Sequence, residues 1–292
     1  MCDQDHFDDD LKDYVSRGAV TRRQFGAVTL GAGFAFVLPR AANAQAVKES
    51  DVKVTTPDGV ADCYFVHPAS GAHAGVIIWP DILGLRPAFR QMGKRLAESG
   101  YSVLVVNPFY RQKPAPVVPT GASFSDPETR KIVMALAGNL NATTHVTDAK
   151  AFVTFLDAQA AVDKRKKIGT TGYCMGGPIV MRTAAAVPDR IGAGGSFHGG
   201  GLVTKEPNSP HLLVPTMKAQ FLIAIAENDD QREPDSKTVL KETYAKAGLP
   251  AEIEVYAGAA HGWCPPDSAV YNEAQAEKAW SRLLVLFGKA LA

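Results

Sequence analysis

A cysteine framed by glycines is the most reactive arrangement in this 292-residue chain. In Gly172-Tyr173-Cys174-Met175-Gly176-Gly177 the cysteine has glycine two residues to either side. Lys167–Thr171 before it reads as a short buried strand, and Pro178–Ala186 after it as a helix whose first turn tolerates the proline. A strand, a glycine-flanked nucleophile and a helix in direct succession describe a nucleophile elbow, with sulfur in place of the usual serine oxygen. The nucleophile of such a turn is held in a strained backbone, so its neighbours must lack colliding side chains. The helix start beside it favours a thiolate. A cysteine that only packs in a core has no need of these glycines.

A thiol nucleophile needs a base and a group to orient that base. His261, in His261-Gly262-Trp263, directly follows the last clear strand, Glu252–Tyr256. Asp229 and Asp230 follow the apolar strand Gln220–Ala226, and either one fits the orienting role. Other strand-like runs are Gly75–Trp79, Tyr101–Val106 and the glycine-rich Ile191–Phe197, which ends at His198. Helices are expected near 87–99, 127–138, 143–161, 235–247 and 271–290, the second last closed by Gly248. In the helix near 143–161, Val146, Ala149, Phe152, Val153 and Leu156 mark the apolar stripe. A hairpin turned at Pro57-Asp58-Gly59 precedes all of this. The alternation argues one α/β domain over residues 47–292, with a predominantly parallel sheet and helices on both faces. Reactive residues in such sheets sit beyond the carboxyl ends of the strands, as Cys174, Asp229 and His261 do, and their order is that of the α/β-hydrolase fold. The Pro-, Gly- and Ser-rich stretch 112–126 is a surface loop, either a lid over the site or a plain connector.

The first 46 residues have a different character. Arg22-Arg23, a glycine-diluted apolar run of about 13 residues to Leu38, and the small-residue tail Ala41–Ala46 describe a twin-arginine export signal. That run is too short to span a bilayer, which takes about 20 residues, so no stable membrane anchor is expected. The export machinery is an implied partner, and the mature protein is expected in the periplasm or outside the cell. A net charge of +1 and no basic stretch interleaved with aromatics give nucleic-acid binding no support. No histidine pair has metal-ligand spacing, and no Cys-x-x-Cys supports a thiol-redox role. Cys63 and Cys264 are read as two separate thiols more readily than as a disulfide.

Taken together, Gly-Tyr-Cys-Met-Gly-Gly, the acidic loop at Asp229, His261-Gly262-Trp263 and Pro80-Asp81-Ile82-Leu83-Gly84 resemble the dienelactone hydrolase family, a cysteine-using branch of the α/β hydrolases. The resemblance implies hydrolysis of a small ester or enol lactone through a thioester, without cofactor or metal. It makes Cys174 the nucleophile, His261 the base and Asp229 the orienting carboxylate. Backbone N–H groups of Ile82 and Met175 then form the oxyanion hole. Asp81 stands where the family has a glutamate that contacts the resting thiol. Arg111 resembles, one residue out of register, the first of two substrate-binding arginines, and the second position holds Pro265. Arg111 is read as either a substrate clamp or a surface ion pair, Trp263 as pocket wall or core, and His198 as pocket wall or a surface group. The alternative function is an exported binding protein that has kept the hydrolase fold without its catalysis.

Overall fold

A computed structural model describes residues 38–39 and 44–292, so the expected export signal lies almost wholly outside the described residues. The chain opens with a hairpin, β1 (Val47–Thr56) and β2 (Gly59–Pro68). It continues through β3 (Gly75–Trp79), α1 (Pro87–Glu98), β4 (Ser102–Val106), α2 (Pro127–Ala137) and α3 (Ala142–Ala158). Then come β5 (Ile168–Tyr173), α4 (Gly176–Ala186), β6 (Ile191–Phe197) and a 3-10 helix (Pro210–Thr216). The last elements are β7 (Gln220–Ala226), α5 (Glu227–Arg232), α6 (Ser236–Lys246), β8 (Ala251–Tyr256) and α7 (Glu273–Ala290). Eight strands stand in the order β1-β2-β4-β3-β5-β6-β7-β8, antiparallel at β1-β2 and β2-β4 and parallel elsewhere.

The sheet separates two cores, and the two-residue period of its strands assigns side chains between them. Ile77 and Trp79 of β3, with Leu104 and Val106 of β4, join Phe152, Val180, Leu240 and Tyr244 from helices α3, α4 and α6. Val76 and Ile78, with Val103 and Val105, face Phe89 and Leu96 of α1 and Leu283 and Phe287 of α7. Both faces are therefore covered, which is why the central strands read as unbroken apolar runs.

Two helix starts are written in their sequence. Asp126 caps α2 by accepting from the Thr129 N–H at 2.7 Å, and Asn141 forms a capping box with Thr144 at the start of α3. The buried stripe of α3 is rotated from the expected one. His145 and Asp148 are buried with Ala149, Phe152, Val153 and Leu156, while Val146 is only half-buried.

Cys63 and Cys264 are both buried, and they lie in different cores on opposite faces of the sheet. They are separate thiols. Burial raises the pKa of each, making both poor nucleophiles.

Candidate active site

Five strands deliver the candidate residues to one edge of the sheet. Beyond the carboxyl ends of β3, β5, β6, β7 and β8 come, in turn, Asp81-Ile82, Cys174-Met175, His198, Asp229 and His261. All of these line a single cavity of about 1670 Å³. That exceeds the usual small-molecule pocket of about 300–1,000 Å³.

Cys174 occupies the turn between β5 and α4 with φ of 52°, a left-handed conformation that costs a non-glycine residue energy. The glycines around it make room for backbone. A Cβ on Gly172 would stand 2.3 Å from the Gly176 carbonyl oxygen, and one on Gly176 would stand 2.3 Å from the Trp79 carbonyl oxygen. The second contact ties the elbow to the end of β3, and so to the loop that carries Ile82. The N–H groups of Ile82 and Met175 donate to no partner among the described residues, and both residues face the cavity.

His261 is fixed at two points. Its N–H donates to Asn228 Oδ1 at 2.9 Å, and its ring Nδ1 meets Asp229 Oδ2 at 2.7 Å. A carboxylate only accepts, so the proton of this bond sits on Nδ1 and leaves Nε2 as the basic nitrogen. Asp230 turns elsewhere, with both oxygens 2.7 Å from Lys237 Nζ. The geometry separates the two adjacent aspartates, and Asp229 is the one that meets the histidine.

His198 is fully buried, with φ of 40°, and its Nδ1 accepts the Cys174 N–H at 3.1 Å. Burial, then the nearby His261, pushes its pKa well below the usual imidazole range. His198 is thus a neutral ring pressed edge-on against His261, with centroids 5.2 Å apart.

One expected contact is replaced by another, and two open choices close away from the substrate. Asp81 lines the cavity, but its carboxylate receives Arg86 at 2.6 and 2.9 Å and the Leu83 N–H at 2.9 Å. Its charge is committed to a guanidinium and a turn, where a carboxylate poised for a thiol was expected. Arg111 does not line the cavity. It pairs with buried Asp148 and with Asp58 and lies over the Tyr110 ring, so a partly buried ion pair uses the charge meant for substrate. Trp263 is fully buried behind His198, stacked on Tyr256, and does not reach the cavity wall. From the loop after β4, Val117 and Val118 pack with Ile82, Phe109 and Val133, while residues 121–125 form part of the wall.

Other participants leave little trace in sequence. Arg86 bridges Asp81 and Asp267, which lies 2.7 Å from its Nε, and so clasps the loop after β3 to the loop after His261. Burial opposes the Arg86 charge, and the two carboxylates overcome it, leaving the guanidinium more firmly protonated than usual. Arg86 and Asp267 are 181 residues apart, and no local pattern links them. His145 also lines the cavity, and its two ring nitrogens are buried with no hydrogen-bond partner among the described residues. Among the described residues no group of side chains is arranged to hold a metal ion, and no helix is long and apolar enough to cross a membrane.

The model of the Dienelactone hydrolase family matches residues 61–291. The chain belongs to the dienelactone hydrolase family. Its eight-stranded, mostly parallel sheet with flanking helices is the α/β-hydrolase fold of that family. A Methylorubrum extorquens protein, provisionally named a carboxymethylenebutenolidase, is 26% identical over 288 residues, spanning 95% of this chain and 96% of the relative. The carboxymethylenebutenolidase of Rhodococcus opacus is 26% identical over 234 residues, spanning 78% of this chain and 86% of its own. A Klebsiella pneumoniae structure, provisionally named a dienelactone hydrolase, superposes with a TM-score of 0.72 at 22% identity. It covers 84% of this chain and 100% of its own, a likeness of fold.

Proposed function

We propose that this dienelactone hydrolase family member cleaves a small carboxylic ester or lactone through a Cys174-His261-Asp229 triad and a thioester, in the manner of a carboxymethylenebutenolidase. One observation carries the reading. A cysteine in a strained elbow shares a cavity with a histidine whose Nδ1 is held 2.7 Å from a carboxylate.

The steps follow from the donors and acceptors present. Cys174 Sγ attacks the ester carbonyl carbon while its proton passes to His261 Nε2. The carbonyl π electrons move onto oxygen, and the N–H groups of Ile82 and Met175 face that oxyanion. Each such donor is typically worth about 3–4 kcal/mol in the transition state. The C–O bond breaks, the leaving oxygen takes the proton from His261, and a thioester remains. Water then loses a proton to His261, attacks the thioester carbon and expels the thiolate, which regains that proton. Asp229 keeps the Nδ1 proton in place throughout and stabilises the charged ring without itself accepting the proton.

The test is hydrolysis of p-nitrophenyl butyrate by wild type, Cys174→Ala and His261→Ala. Turnover in wild type that disappears in both variants supports the reading. A wild type inert toward short esters and lactones would instead favour a binding protein built on the hydrolase fold.

We also propose that residues 1–46 export the folded protein by the twin-arginine route to the periplasm or medium, because Arg22-Arg23 precedes a short apolar run and a small-residue tail. Replacing both arginines with lysine should retain the protein in the cytoplasm. Unchanged export would reject the assignment.

A further inference from the structure

The cavity has two unlike sides. Leu83, Phe124, Met134 and Leu140 are half-buried, pack against the small core around Ile82 and line the cavity with the surface they keep. That core also holds Phe109, Val133 and Leu136, so α2 lies over the ends of β3 and β4. Met175, next to the nucleophile, packs against it as well, and the apolar side therefore begins at the oxyanion hole. The other side carries Asp230, Glu233 and Lys237, which follow β7, and Asp267 and Asn272, which follow His261.

Strand order fixes which side meets which part of a substrate. Cys174 follows β5, with β3 and β4 to one side of that strand and β6, β7 and β8 to the other. The apolar wall thus stands on one flank of the thiol, while Asp229 and His261, beyond β7 and β8, stand on the opposite flank. The leaving oxygen takes its proton from His261, which draws the alcohol arm of an ester to the β8 flank. The carbonyl oxygen points to the Ile82 and Met175 N–H groups. The third substituent of that trigonal carbon, the acyl arm, is left to the β4 flank, where Phe124, Met134 and Leu140 line the wall.

We propose that the site selects its ester by an aliphatic acyl arm laid along Met134 and Leu140, with the alcohol arm in the polar half of the cavity. The proposal rests on the hydrolase reading for its direction, whereas the apolar subsite beside Cys174 belongs to the cavity itself. Each methylene moved from water onto the apolar wall is favourable, and the polar flank offers no such gain. Polar or charged substituents on the alcohol portion of an ester or lactone fit the polar flank. Met134 and Leu140 are thereby specificity residues for the acyl portion.

Two series of esters separate the arms. With p-nitrophenol as the constant leaving group, kcat/KM should rise about threefold per methylene, and so about tenfold from butyrate to hexanoate, the scale of burying two methylenes. With butyrate as the constant acyl group, lengthening the alcohol from ethyl to butyl should change kcat/KM by less than about twofold. Met134→Gln and Leu140→Gln set an amide against the arm, and each should lower the hexanoate-to-butyrate ratio by about threefold or more. A ratio between two substrates of one variant is insensitive to the fraction of protein that folds. A flat acyl series would overturn the proposal, as would an equal gain from the alcohol arm or a ratio that both substitutions leave unmoved.

Alkylation of Cys174 reads the subsite without turnover. N-Hexylmaleimide should outpace N-ethylmaleimide by about tenfold more than it does with glutathione, Cys174→Ala serving as the blank, and Met134→Gln should narrow that preference. Equal relative rates would overturn the apolar subsite. Inertness toward every ester combined with the alkylation preference would reject the hydrolase reading and leave the subsite standing. Turnover with a flat acyl series would keep the hydrolase and reject the proposal.

Discussion

Gly176→Ala is the substitution whose consequence the backbone fixes most tightly. The new methyl carbon would stand 2.3 Å from the Trp79 carbonyl oxygen and 3.0 Å from that of Pro80, where Cβ atoms keep at least 3.0 Å. About 0.7 Å of movement is required, and both obstacles are main chain, which has no rotamer with which to yield. Overpacking of this kind typically costs about 1–3 kcal/mol and sometimes more. In a domain of this size each kcal/mol lowers Tm by about 2–4 °C, so a fall of about 2–12 °C is expected. Trp79 and Pro80 lead directly into Ile82, so the displacement separates the Ile82 N–H from that of Met175. An oxyanion misplaced from one donor loses about 10²–10³ in kcat. Gly288→Ala is the control, because among the described residues no atom beyond the local backbone of helix α7 lies within 4 Å of its Cβ, and it should gain about 0.5–1 kcal/mol. Thermal unfolding and p-nitrophenyl butyrate hydrolysis measured on both variants decide the matter. If Gly176→Ala melts within a degree of wild type and keeps its rate, the close approach of elbow to β3 loop is refuted.

Three further outcomes follow from the same contacts. Asp229→Asn should lower kcat by about 10³–10⁴ through loss of the correct imidazole tautomer, whereas Asp230→Asn removes only a Lys237 ion pair and should change kcat little; equal effects would contradict the pairing. Arg111→Met strands Asp148, which is 1% exposed and whose pKa burial already raises, so it should cost about 3–5 kcal/mol of stability with KM nearly unchanged. A raised KM at wild-type stability would return Arg111 to the substrate site. Acid should also destabilise the fold through His145. The unfolded chain protonates this ring below about pH 6.5, and the folded chain only near about 3, so stability is full above that window and falls through it by about 1.4 kcal/mol per pH unit. His198 adds in the same direction, and in urea unfolding His145→Phe should flatten the slope by about one proton.

Much of the fold was legible because the informative signals are local. The strand runs at 75–79 and 220–226, the Pro57-Asp58-Gly59 turn and the glycine frame of Cys174 each carry their own geometry within a few residues. The choice between Asp229 and Asp230 was not legible, because the acidic stretch is a short helix, α5, and adjacent residues on a helix point in different directions. The choice for Arg111 between substrate and ion pair was not legible either, because its partners come from the β1–β2 turn and α3, brought together only by the closed sheet. His145 was missed for the opposite reason. A polar residue on a buried stripe is invisible to a search for apolar periodicity, which chose Val146 beside it.

The Arg86 clasp has a consequence for how this site changes over evolutionary time. One guanidinium holds Asp81 from the loop after β3 and Asp267 from the loop after His261, both by two hydrogen bonds. Losing either aspartate leaves a buried cation half-compensated, and losing the arginine brings two carboxylates together without a counterion. Positions 81, 86 and 267 therefore form a single heritable unit. Relatives that keep this arginine should keep both acids, and a lineage that drops one member should have replaced all three.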